Sequence, residues 1–410
     1  MNAPRLRTLG ASLVLGVSLA ASAMPALAQA QSMAPEGHSM APPSGAPSSP
    51  SADLRVALGR LLGEHALLAI VTTQKGLDGA ADFEASANAL DANSVEISQA
   101  IGSIFGPDVE ATFLESWRNH IRMFVDYTVG LATDDTAKQE AAVAELTEYI
   151  DAFGQYLADA TGLPGDAVKS VLTDHVMQLK AQLDAYAAGD YETTWTTARE
   201  AYAHMWMLGG TLGDAIIAKF PDQFAGAGAS MGVAADDLRA GLDQLLAEHA
   251  FLASIATQKG LVGAPDFDAA AAALDANSVD IASAIGSVFG EDVEGEFLPS
   301  WRSHIGFFVD YTVALAGNDM AAQNEAVSKL TEYIDAFGQY LADAAGLPAD
   351  AVKASLSDHV GQLKGQLDAF AAEDYAGALD QVREAYAHMV GTGDVLAGGI
   401  VAKFPEMFGA

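Results

Sequence analysis

Eight of the nine histidines in the 410-residue chain fall at corresponding places in two stretches of sequence, 184 residues apart as from His120 to His304. They are His65, His120, His175 and His204, then His249, His304, His359 and His388. Imidazole titrates near neutrality and is the commonest metal ligand among side chains. In FLESWRNHIRMFVDYT, Phe113, Trp117, His120, Phe124 and Tyr127 follow one another at helical spacing, the stripe of a buried helix face. The stretch returns as FLPSWRSHIGFFVDYT from Phe297 to Thr312. A histidine on such a face needs a hydrogen-bond partner, a metal or a proton.

His65 shares a stripe with Leu54, Leu58, Leu61, Leu68 and Thr72, and His175 shares one with Val168, Leu172, Leu179 and Tyr186. His204 lies on the flank of a stripe made by Trp195, Ala198, Tyr202 and Met205. All sit near mid-helix, and antiparallel helices of matched length bring their middles to one level. Four imidazoles per copy are therefore expected in one layer. Carboxylates beside or near them, Glu64, Glu148, Asp174 and Glu200 with Glu248, Glu332, Asp358 and Glu384, are expected to orient the rings or supply charge. Asp91, Asn93 and Ser94 join the same polar belt.

Such a His/carboxylate set suits a transition metal, and the absence of cysteine leaves Cu, Zn, Mn or Fe rather than an iron-sulfur cluster. Met205 and Met389, each following the last histidine of its copy, favour copper. The function expected is an exported metal-binding protein with one site in the middle of each bundle, for binding, storage or delivery. Three alternatives stand beside it. One is a redox metalloenzyme in which a tyrosine or Trp117 carries an electron. Another is haem held noncovalently between paired histidines, since no Cys-x-x-Cys-His occurs. The last is a structural or interaction protein whose imidazoles bond only to Tyr, Asp or Glu of the next helix. Tyr127, Tyr149, Tyr156, Tyr186 and Tyr202 are candidates for a place behind the metal ligands, with amphipathic core packing their commoner role.

The elements that must position these residues are helices. Leu54 to Phe224 aligns on Leu238 to Phe408 without a gap, a duplication within one chain. Hydrophobic periodicity and turn signals predict six helices in the first copy, near 53–76, 82–105, 108–132, 136–160, 165–187 and 190–219. The fold class is all-α, two tandem antiparallel bundles of about six helices each. The boundaries expected are a signal peptide over 1–28, a flexible Pro/Ser/Ala-rich leader over 29–51, bundles over 52–224 and 236–410, and a linker over 225–235. Arg118 and Arg199 recur as Arg302 and Arg383, positioned to pair with belt carboxylates. Lys75 and Lys259 read as basic residues closing the first helix of each copy. Pro299, where the first copy has Glu115, is expected to kink its helix or move its start, and Gly209 and Gly210 to bend the last one.

Arg5 and Arg7, the apolar run Leu9 to Ala21 and the small residues around Leu27 form the pattern of a secretory signal. The expected location is therefore periplasmic or extracellular, with no membrane span in the mature chain. The leader carries Met33, His38 and Met40, soft donors in a linker-like context. Lys plus Arg total 20 against 54 for Asp plus Glu, a formal charge of −34, which excludes a phosphate-tracking surface and hence nucleic acid. A metal ion is the partner expected, with self-association open.

The segments LLGEHALLA, SWRNHIRMFVDYT and AYAHM with its later KFP resemble secreted bacterial helical proteins that often carry a copper amine oxidase-like label. The resemblance covers both copies. It implies a helical fold and no particular reaction, because the quinone-forming amine oxidase fold is mostly β. In architecture the chain also resembles ferritin-like bundles, but it carries Glu200-x-x-x-His204 in place of their Glu-x-x-His, so di-iron chemistry does not carry over.

Overall fold

Helix punctuation in this chain is local. Ser49, Asp135 and Asp190 accept a backbone N–H of the first turn of the helix that follows each of them. Gly79, Gly162 and Gly189 end helices at positive φ, where a side chain would be strained. The computed structural model describes residues 49–409, and among these there are twelve α-helices, one short 3₁₀ turn and no strand. The first copy supplies α1 (Pro50–Asp78), α2 (Phe83–Phe105), α3 (Pro107–Ala132), α4 (Thr136–Thr161), α5 (Gly165–Ala188) and α6 (Tyr191–Lys219). The second supplies α7 (Ala234–Val262), α8 (Phe267–Phe289), α9 (Glu291–Ala316), α10 (Met320–Ala345), α11 (Ala349–Ala371) and α12 (Tyr375–Lys403). The expected signal peptide and most of the leader, with Met33, His38 and Met40, lie outside the described residues.

Successive helices pack on one another, α6 closes back on α1, and α1 also touches α3 and α5. That central position explains its composition. Every residue from Leu61 to Gln74 is buried, where a one-sided stripe was expected. A helix that is apolar all round is an interior helix, and α7 repeats the arrangement with α8, α9, α11 and α12. The close approach of α1 and α6 depends on Gly209: a Cβ built there would stand 2.4 Å from the Gly59 nitrogen. This contact accounts for glycine at that point.

α9 is as long as α3, 26 residues, and its first residue corresponds to that of α3, so Pro299 sits inside a helix whose start has not moved. α1 runs past Gly76 to Asp78 and ends at Gly79, with Lys75 in its last turn, and Lys259 holds the same place in α7. Lys75 and Lys259 also each form an ion pair at 2.7 Å, with Asp82 and Asp266.

Residues 49–409 form one compact unit that holds both copies. The copies are joined by a reciprocal exchange of side chains. Arg383 of α12 donates to Glu64 of α1 at 2.9 Å, and Arg199 of α6 donates to Glu248 of α7 at the same distance. Asn93 and Asn277 each complete the carboxylate with a bond of 2.8 Å. Between these pairs the Tyr202 hydroxyl donates to the Gln244 carbonyl and that of Tyr386 to the Arg60 carbonyl.

Candidate metal centre

The central helix places His65 at the middle of the first copy, and α3 and α5 bring His120 and His175 against it. The Nε2 atoms of His65 and His120 stand 3.4 Å apart and share a hydrogen bond, and the His175 ring centroid lies 6.1 Å from that of His65. The second copy repeats this with 3.3 Å between His249 and His304, and 5.9 Å from His249 to His359. None of these six rings is more than 5% exposed. Trp117 packs on both His65 and His120, with centroids at 4.8 and 4.7 Å, and Tyr149 stacks on His120 at 5.3 Å. Trp301 and Tyr333 do the same in the second copy.

Ring nitrogens in these clusters lack partners. The Nδ1 atoms of His65, His120, His249 and His304, and both nitrogens of His175 and His359, make no hydrogen bond. Burial disfavours the imidazolium and pushes His120 and His175 down to about 3 and His304 to about 4. Burial, with the neighbouring imidazoles second, holds His65, His249 and His359 well below the usual range. At neutral pH all six are uncharged, which is the form that can give a lone pair to a metal.

The fourth histidine of each copy stands apart. His204 is partly exposed and bonds the Val171 carbonyl at 3.0 Å, and His388 bonds the Ser355 carbonyl at 2.9 Å. Each layer thus holds three imidazoles where four were expected. The carboxylates correct the expectation further. Glu148, Asp174, Glu200 and Glu332 are exposed, Asp358 and Glu384 are partly exposed, and Glu384 accepts from Gln381 at 2.7 Å. Glu64 and Glu248 are buried, but both are engaged by the arginine of the other copy. Arg118 and Arg302 pair with Asp91 and Asp275 on the surface. Of the tyrosines, only Tyr149 and Tyr333 lie against the clusters. Among the described residues no three His, Cys, Asp or Glu side chains converge as a complete metal cage.

A narrow cavity of about 60 Å³ adjoins the first cluster, with His120, His175, Tyr149 and Met205 on its wall and all six helices of the copy around it. Met205 therefore shares a space with two imidazoles. Sequence reasoning missed the double contact of the tryptophans. The signal was available, since Trp117 precedes His120 by three residues, about one turn. No protein family, curated protein or solved structure matches the chain.

Proposed function

We propose that the close histidine pair of each copy, His65 with His120 and His249 with His304, binds a transition-metal ion beside the third imidazole, with cuprous copper the best match, and that the protein holds or hands on copper outside the cytoplasm. The observation that carries this reading is the spacing of the paired nitrogens. Two imidazoles bound to one ion at about 2.0–2.1 Å in tetrahedral geometry hold their nitrogens about 3.3–3.4 Å apart. His65 and His120, and His249 and His304, have that separation. Two axial imidazoles on opposite sides of a haem iron would span roughly 4 Å at the same bond length. The pairs are too close for that.

Charge favours the cuprous state. The trio is neutral, apolar residues and aromatic rings surround it, and its expected carboxylates face elsewhere. The desolvation cost of an ion grows with the square of its charge, so a divalent ion costs about four times as much as a monovalent one in such a site. Met205, buried beside His120 and His175, adds a soft thioether within reach of the same cavity. Arg5, Arg7 and the apolar run that follows support export.

Titration with Cu(I) against a chromophoric competing chelator tests the reading. The wild-type protein is expected to withdraw close to one copper per copy. A His120→Gln, His304→Gln variant is expected to withdraw none at the same chelator concentration. Wild-type protein that competes no better than the variant would refute the proposal.

A further inference from the structure

The wall of the narrow cavity in the first copy is almost wholly apolar, with Leu58, Phe113, Leu172, Met205 and Leu212 among its lining residues. The polar atoms of that lining are turned away from the space. Both ring nitrogens of His175, Nδ1 of His120, Nε1 of Trp117 and the Tyr149 hydroxyl are buried without a partner and present no surface to it, and the Thr161 hydroxyl donates to the Leu157 carbonyl at 2.7 Å. A buried water is held by several hydrogen bonds, and this wall supplies none, so water is not a stable occupant. Ile101, Phe105, Tyr156 and Ala160, at the C-terminal ends of α2 and α4, line the cavity while only partly buried, which gives a way in from solvent.

We infer that this cavity binds a small apolar gas with the size and polarity of dioxygen. Its volume sets the size. A dry apolar cavity of roughly 150 Å³ accepts benzene or xenon, and about 60 Å³ leaves room for only about two or three heavy atoms. Its wall sets the polarity. An ion or a strongly dipolar molecule gives up its hydration on entry and meets no wall atom that replaces it, whereas an apolar diatomic loses no hydrogen bond. Dispersion then holds the gas, because the packed wall offers contacts on every side. The gas lies beside the metal centre proposed above, against the carbon atoms of His120 and His175, and its binding requires neither a metal nor a free lone pair.

The test uses the full chain with a metal chelator present, its methionine methyl groups labelled for NMR, under dioxygen pressure. Dioxygen is paramagnetic and speeds the relaxation of any nucleus it approaches. Met205 is 1% exposed and lines the cavity, while Met123 is 6% exposed and does not. The Met205 methyl, assigned by its loss in Met205→Leu, is expected to respond to dioxygen several-fold more strongly than that of Met123, although it is the more deeply buried of the two. Xenon, which is apolar and diamagnetic, should displace dioxygen and suppress the response at Met205. Val176→Phe and Leu157→Phe each bring a ring into the cavity from a different helix and should each remove most of that response. A Met205 methyl that responds no more than that of Met123, or a response that xenon leaves unchanged, would overturn the inference, and neither result depends on a variant folding. A response undiminished in both folded variants would overturn it as well. Copper titration is a separate readout, so failure of either proposal leaves the other standing.

Discussion

Acidifying the chelated protein from pH 7.5 to 5.5 is expected to remove roughly 4–8 kcal/mol of folding stability, an unusually large loss for so mild a change. The sign follows from the six buried imidazoles. Their folded-state pKa values lie below the unfolded value of about 6.5, at about 3 for His120 and His175 and about 4 for His304. Their contribution is complete above the unfolded pKa and is lost as pH falls toward the folded one. In that window the unfolded chain takes up protons that the core refuses, at about 1.4 kcal/mol per pH unit for each group. Some carboxyl groups act the other way. Burial raises Asp243 strongly, and also raises Asp236 and Glu248, so each gains stability as pH falls. Six imidazoles against at most three carboxyls leave a net loss. Urea unfolding at the two pH values measures it, and equal midpoints would contradict the burial of neutral clusters.

Glu64→Ala is expected to destabilise the protein by about 3 kcal/mol, with Glu248→Ala similar. Each carboxylate is buried and anchors an arginine from the other copy, and removing one partner of a buried pair leaves the other charged and uncompensated. Arg383 keeps Glu96 at 2.7 Å and Arg199 keeps Asp280 at 2.7 Å, which places the cost at the lower end of the usual 3–5 kcal/mol. Asn93 and Asn277 also lose an acceptor. The double variant Glu64→Ala, Arg383→Ala should cost clearly less than the two single changes added together, because no orphan charge remains. Denaturant midpoints for the four proteins in this cycle supply the test. A Glu64→Ala protein within 1 kcal/mol of wild type would show that the copies are not held this way.

Helix positions were legible because they follow from local chemistry: apolar spacing, Asp caps and left-handed glycines specify each helix on its own. The trio of imidazoles was legible for the same reason, since His65, His120 and His175 each stand in register with leucine, phenylalanine or valine neighbours. The flank position of His204 was visible too, and its partial exposure follows from it. The carboxylates lie away from the imidazoles because proximity in sequence is not proximity in space. Asp174 precedes His175 by one residue, which on a helix is a rotation of about 100°, so it faces away from the layer that His175 enters. Glu64 also precedes its histidine by one residue, and being on an all-buried helix it faces the other copy. That partner, Arg383, lies 319 positions along the chain, and no local pattern specifies which arginine crosses the junction. The full burial of α1 was hidden similarly, because it depends on how many helices surround it.

X-ray absorption at the copper edge of the Cu(I)-loaded protein tests the central proposal most directly, because it reads the atoms bound to the ion. Two or three nitrogen neighbours at about 2.0 Å, with the outer-shell scattering of imidazole rings, are the expected result. Replacing His120 and His304 by glutamine should remove that imidazole signal. A copper shell made of oxygen alone, or an imidazole signal unchanged in the double variant, would contradict a metal centre at these histidines.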